Sequence, residues 1–187
     1  RQPPRAAPSD AKRIVATPDG LAKPRNDVPG LRNLARVDKG LWRSYHPRRE
    51  GFRQLKKLGV KTVVSLRNTR SDRKYLRGLG LRYRRLSVAP WNAKEKRLLQ
   101  VLKVLTDPAN QPVLVHCKHG ADRTGLVVAL YRIIVHGWTK EKALREMNRF
   151  GFHSVWKNLK KTLARIDIAA FKKKLKTTPA PRLDLIK

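Results

Sequence analysis

A chain of 187 residues, 40% hydrophobic and 31% charged, suits one folded domain and is too apolar for wholesale disorder. Its 45 Lys and Arg against 13 Asp and Glu give a formal net charge of +32, which gathers anions without choosing among them. A single cysteine excludes an internal disulfide and a cysteine-rich metal site, and the longest apolar run, GLVVALYRIIVHGW, is broken by Arg132 and His136 before it can span a membrane.

Residues 1–30 hold six of the twelve prolines, so they read as an extended or loosely draped basic arm. A folded domain is expected over 31–175. The remainder, 176–187, reads as a frayed or surface-laid tail. Within the domain, GLWRS (40–44) predicts a short strand. REGFRQLKKLG (49–59) places Phe52, Leu55 and Leu58 at helical spacing before a glycine stop. VKTVVSLR (60–67) is β-branched and reads as a buried strand. TRSDRKYLRGLG (69–80) opens with Thr69 and Asp72 at capping-box spacing, and LRYRRLSV (81–88) alternates as a strand does. NAKEKRLLQVLKVL (92–105) predicts a helix capped by Asn92 with Glu95 three residues on. PVLVHC (112–117) is a second buried strand, followed by a helix from about Thr124 to His136. Thr139 caps the next helix, and 154–174 reads as a last one. Alternation of this kind predicts an α/β fold, a central sheet flanked by helices.

The chemistry concentrates in HCKHGADRTG (116–125). Cys117 ends an apolar strand and a helix starts just beyond, the place where open α/β sheets bind ligands. Gly120 and Gly125 let the backbone curl so that the amides of Lys118, His119, Gly120 and Ala121 point inward at the helix N-terminus, an anion cradle. Arg123 grips two phosphate oxygens at once, which lysine cannot do. A field this positive favours the thiolate of Cys117, a nucleophile in line with a cradled phosphorus. The Thr124 hydroxyl follows, placed to hydrogen-bond the sulfur as it leaves. A buried free cysteine acting as a small hydrophobe explains neither the glycines nor the arginine.

His116-Cys117, five residues, then Arg123-Thr124-Gly125 resembles the signature of cysteine-dependent tyrosine and dual-specificity phosphatases. LWRSYHP (41–47), GVKTVVSLR (59–67) and the long segment 112–147 resemble, in the same order, segments of small bacterial secreted dual-specificity phosphatases. The resemblance covers about residues 31–155 and extends to the phosphatase-like inositol polyphosphatases (phytases). It implies a tyrosine/dual-specificity phosphatase-like fold, a phosphocysteine intermediate on Cys117 hydrolysed by water, and no metal or other cofactor. His116 orients the cysteine and Gly125 supports the loop. The chain begins at Arg1 without Met, as a trimmed or mature form does. The resemblance implies a periplasmic or secreted location, with the cytoplasm as the other possibility, and a monomer is expected.

The family carries an aspartate upstream of the cysteine that protonates the leaving oxygen. The corresponding window, RYRRLSVAPWN (82–92), contains no carboxylate. Four others are available. Glu95 reads as the capping partner of Asn92, Asp72 as that of Thr69, and Asp107 as a turn residue before Pro108. Asp122 lies inside the loop directly before Arg123, within proton-transfer reach of a bound phosphate, and the resemblance to bacterial phosphatases whose loop reads D-R-T-G implies that it is the acid; a structural hydrogen bond to neighbouring amides is its other reading. His46, His136 and His153 read as structural. Trp91 reads as a wall of the pocket or as core.

Arg43, Arg48, Arg49, Arg67, Arg70, Arg73 and Lys74 are expected around the loop, where a polyanion profits. An inositol polyphosphate such as inositol hexakisphosphate is therefore the expected substrate, with phosphotyrosine proteins as the alternative. Outside enzymes, a phosphate-binding module that lost its acid and a nucleic-acid binder remain. Aromatic residues at 6% and the lack of recognition signatures speak against specific nucleic-acid binding.

Overall fold

The computed structural model describes residues 17–187, so the first part of the expected arm lies outside the described residues. Six strands form one sheet in the order β1-β2-β5-β3-β4-β6. They are β1 Ala35–Arg36, β2 Leu41–Ser44, β3 Thr62–Ser65, β4 Leu81–Arg85, β5 Val113–His116 and β6 Asp184–Ile186. β2, β5, β3 and β4 run parallel, while β1 and β6 close the two sides antiparallel. Seven α-helices are seen among the described residues: α1 Arg49–Lys57, α2 Arg73–Leu76, α3 Glu95–Thr106, α4 Asp122–His136, α5 Lys140–Arg149, α6 Lys157–Arg165 and α7 Ile168–Thr177. This is the expected α/β architecture.

The sheet separates two apolar layers because successive strand residues face opposite ways. Val113 and Val115 join one layer with α3, α4 and the C-terminal helices, and Leu114 joins the other with Phe52, Leu55 and Tyr83. Phe52 is fully buried, a contribution of about 2–3 kcal/mol from transfer alone.

Several local expectations differ from the structure. Leu21 and Ala22 are buried, and the Ala22 amide donates to Glu146 Oε2 at 2.7 Å, so 17–30 is tied down rather than draped. The tail ends in β6, whose Leu185 pairs with Arg82 of β4. The Asn92–Glu95 capping box does not form. Lys94 occupies the N-cap of α3, Asn92 bridges back to Ala89, and Glu95 pairs with Lys174. The expected single helix over 154–174 is a 3-10 turn at Ser154–Trp156 followed by α6 and α7, because Asp167 caps a new start through the Ala170 amide. The helix after the loop begins at Asp122, two residues earlier than expected. Thr139 caps α5 through the Lys142 amide, as expected.

Candidate active site

The parallel register aligns Ser44, Ser65 and His116 at one end of the sheet. The segments after β2, β3 and β5 therefore emerge together, and the loop after β5 lies between the other two. Cys117 is buried in the layer beneath α3 and α4. The loop then turns through Gly120, whose φ is +69°, and enters α4 at Asp122. A Cβ on Gly120 would stand 2.4 Å from the Ser44 carbonyl oxygen, so the loop can lie against β2 only with glycine there. Gly125 is required for a different reason: a Cβ there would meet Met147 Cγ at 2.8 Å, where α4 crosses α5.

Several side chains hold the loop from outside. Asn33 Nδ2 donates to the carbonyls of His119 (3.2 Å) and Phe150 (3.0 Å). Arg43 Nη2 donates to the Gly120 carbonyl at 2.8 Å. Arg43 was expected on the rim. Instead it is fully buried, its guanidinium 3.5 Å from the Phe150 ring centroid, because β2 points it inward beneath the loop. Burial pushes its pKa down to about 10, against Glu146 and Cys117, which pull the other way, so it is charged at neutral pH. Its Nε and Nη1 have no hydrogen-bond partner among the described residues.

Behind the cysteine, His116 is fully buried and its Nε2 lies 3.0 Å from Asp72 Oδ2. Asp72 is not the capping partner of Thr69. Its other oxygen meets His46 Nε2 at 2.8 Å and Arg67 Nη1 at 3.3 Å, and its backbone amide donates to the Tyr83 hydroxyl oxygen at 3.2 Å. Burial pushes the carboxyl up, but the hydrogen bonds from His116 and His46 outweigh it and hold it well below the usual carboxylate range. His46 thus has a partner that sequence spacing did not reveal.

Arg67, Asn68, Thr69, Arg70, Trp91, Lys118, Arg123 and Trp156 line a cleft of about 560 Å³ beside the loop. Arg123 Nη1 donates to the Leu66 carbonyl at 3.2 Å, which anchors the guanidinium at the cleft wall. Trp91 is 68% exposed and stands in the cleft wall rather than in the core. Trp156 was missed in the sequence, since nothing local marks a residue of a 3-10 turn as a wall of a distant cleft. Thr124 is buried, and its Oγ1 has no partner among the described residues. Asp122 is buried and faces His153: Oδ1 accepts the His153 amide at 2.7 Å and Oδ2 lies 2.9 Å from His153 Nδ1. His119 stacks towards Tyr45 and His153 rather than standing alone. Burial, then the charge of His153 and Lys118, lowers its pKa below the usual histidine value. Of the other expected rim cations, Arg73 pairs with Asp184 and Lys74 lies over Tyr75.

The dual-specificity protein phosphatase TpbA of Pseudomonas aeruginosa is 42% identical over 121 residues, 64% of this chain and 55% of TpbA. The inositol diphosphatase DSP1 of Oryza sativa is 34% identical over 131 residues, 66% of this chain and 58% of its own. The chain thus spans little more than half the length of the curated relatives it matches. The crystal structure of TpbA superposes with a TM-score of 0.73 at 34% identity, covering 83% of this chain and 96% of that one. The catalytic domain of the Saccharomyces cerevisiae phosphatase SIW14 shares the fold, with a TM-score of 0.69 at 22% identity over 84% of this chain and 94% of that one. The sequence model of the tyrosine phosphatase family matches residues 29–182, from just before the buried Leu31 to the threshold of β6, and with this loop at its centre the chain belongs to that family.

Proposed function

We propose that the chain hydrolyses phosphomonoesters through Cys117. The observation that carries this reading is the cysteine directly after the central strand, followed by the turn at Gly120 into α4 and by Arg123 in the first turn of that helix, lining the cleft beside the loop. The amides of 118–123 and the Arg123 fork hold the phosphate. The Cys117 thiolate attacks phosphorus, the bond to the leaving oxygen breaks, and that oxygen takes a proton. Water then cleaves the phosphocysteine, releasing phosphate and returning the thiolate. Asp122 is the proposed donor of the first proton and acceptor of the second. The unpartnered Thr124 hydroxyl is free to hydrogen-bond the departing sulfur.

The proposed substrate is an inositol polyphosphate such as inositol hexakisphosphate. Arg67, Arg70 and Lys118 add cations around the position of Arg123, and several relatives are named inositol diphosphatases. With no carboxylate at 82–92, the proton that an inositol alkoxide needs on leaving falls to Asp122, whereas a phosphoanhydride or an aryl oxide would leave with little such help. A protein phosphotyrosine reading is favoured by a separate observation, the likeness to TpbA, one of whose structures is a complex with phosphotyrosine. No helix among the described residues is long and apolar enough to cross a membrane. A periplasmic location and a monomer remain proposals, tested by osmotic-shock fractionation and light scattering.

The deciding experiment is phosphate release from inositol hexakisphosphate, a diphosphoinositol polyphosphate and a phosphotyrosine peptide, with Cys117→Ser as blank. Turnover of the inositol compounds supports the first reading, and turnover of the peptide alone supports the second. Silence on all three, with phosphate still bound, leaves a non-catalytic binding module.

A further inference from the structure

Two imidazoles and a carboxylate meet at the outer side of the loop. His119 comes from the loop, Asp122 from the first turn of α4, and His153 from the segment before the 154–156 turn. One ligand atom of each lies within 4.8 Å of the other two. The His119 and His153 rings have centroids 5.0 Å apart, and His153 Nδ1 lies 2.9 Å from Asp122 Oδ2. An aspartate–histidine hydrogen bond accounts for one pair. It does not account for the second imidazole at the same point. The His153 amide also holds Asp122 Oδ1 at 2.7 Å, which fixes the carboxylate independently of the rings and supplies the kind of support that oriented ligands have in metal centres.

We propose that His119, Asp122 and His153 bind a divalent ion of the zinc class. Two nitrogens and one carboxylate oxygen make a three-ligand set with a fourth position open to water. Bonds of about 2.0–2.2 Å in a tetrahedral site put ligand atoms roughly 3.3–3.5 Å apart, so the widest separation must close by up to about 1.5 Å while the His153–Asp122 pair opens slightly. His153 is exposed and His119 partly so, and both rings have room to make that move. The neighbouring Lys118 and Arg123 and the N-terminus of α4 repel any cation. The site therefore depends on nitrogen donors rather than on charge, which selects zinc, cobalt or nickel over magnesium and calcium. Occupancy ties the loop to the segment entering the 154–156 turn, whose Trp156 lines the cleft, and it withholds the Asp122 carboxylate from proton transfer, so the ion-loaded form and the turnover form exclude one another.

The inference does not rest on catalysis, and its test is a binding measurement. Cys117→Ser protein, which lacks the competing thiol, is titrated with Co²⁺ by visible absorption and with Zn²⁺ by calorimetry. One equivalent is expected to bind, with the intense band of four- or five-coordinate cobalt. Adding His153→Ala or His119→Gln weakens binding by at least about tenfold, whereas His136→Ala leaves it unchanged. Thermal melts establish that each variant is folded, and either ligand variant suffices if the other does not fold. Absence of saturable binding overturns the proposal, as does undiminished binding in a folded ligand variant.

Discussion

Arg43 Nη2 donates to the Gly120 carbonyl from a fully buried position, so a cation beneath the sheet end holds the turn of the loop in place. Arg43→Met removes both the charge and the bond while keeping much of the bulk. The Gly120 carbonyl is then left without that donor, a cost of about 1–3 kcal/mol in local stability. Expected are a fall in kcat/KM of about 100-fold and slower alkylation of Cys117 by iodoacetamide at fixed neutral pH. A folded variant with unchanged alkylation and turnover would remove Arg43 from the account.

Arg123→Lys keeps the charge and loses the fork. Turnover is expected to drop on the order of 10²–10³-fold, the usual loss when one preorganised donor to developing charge is removed. Steady-state kinetics on p-nitrophenyl phosphate check this. Phosphate affinity, read by calorimetry on the Cys117→Ser background, should fall far less.

Asp122→Asn discriminates the acid from a structural acceptor. An acid matters most for poor leaving groups, so turnover of an alkyl phosphate should fall about 10²-fold or more while p-nitrophenyl phosphate is nearly spared. Equal loss on both substrates indicates that Asp122 serves only to hold the His153 amide.

Asp72 gives a pH dependence with a defined sign. Its carboxyl is held well below its unfolded value, so the folded state gains stability at every pH above that value and loses it as pH falls towards the folded one. Asp72→Asn should cost about 2–3 kcal/mol at neutral pH, because His116, His46 and Arg67 lose their buried anion. The difference between parent and variant should hold constant down to about pH 5 and shrink below about pH 4, read by urea denaturation across the range.

Strands and helices of the domain were legible because their patterns are local. β-Branched runs marked β3 and β5, and the glycines at 120 and 125 marked the loop. Cys117 and Arg123 were legible for the same reason, since one short segment carries both. Asp72 and Asn33 were not. Asp72 lies 44 residues before its partner His116, and its distance from Thr69 imitated a cap. Asn33 reaches His119 and Phe150 across 86 and 117 residues. Arg43 was placed on the wrong side because charge alone predicts exposure, whereas β2 is covered on both faces and buried along its whole length. The tail was misjudged because three residues are too few to show alternation, and the neighbouring β4 edge supplies the order.

That short tail strand has a consequence for how the molecule behaves at high concentration. β4 has five residues, and without a neighbour its outer backbone groups would be open to a foreign strand, with only the charge of its three arginines to keep one away. β6 covers it with three residues, preceded by two prolines and carrying Asp184, which pairs with Arg73. The outermost border is thus brief, charged and poor in partners for further stacking. Shortening the chain to residue 180 would uncover β4, and the shortened protein should stay clear at low salt, where its arginines repel, and precipitate before the parent as added salt screens them.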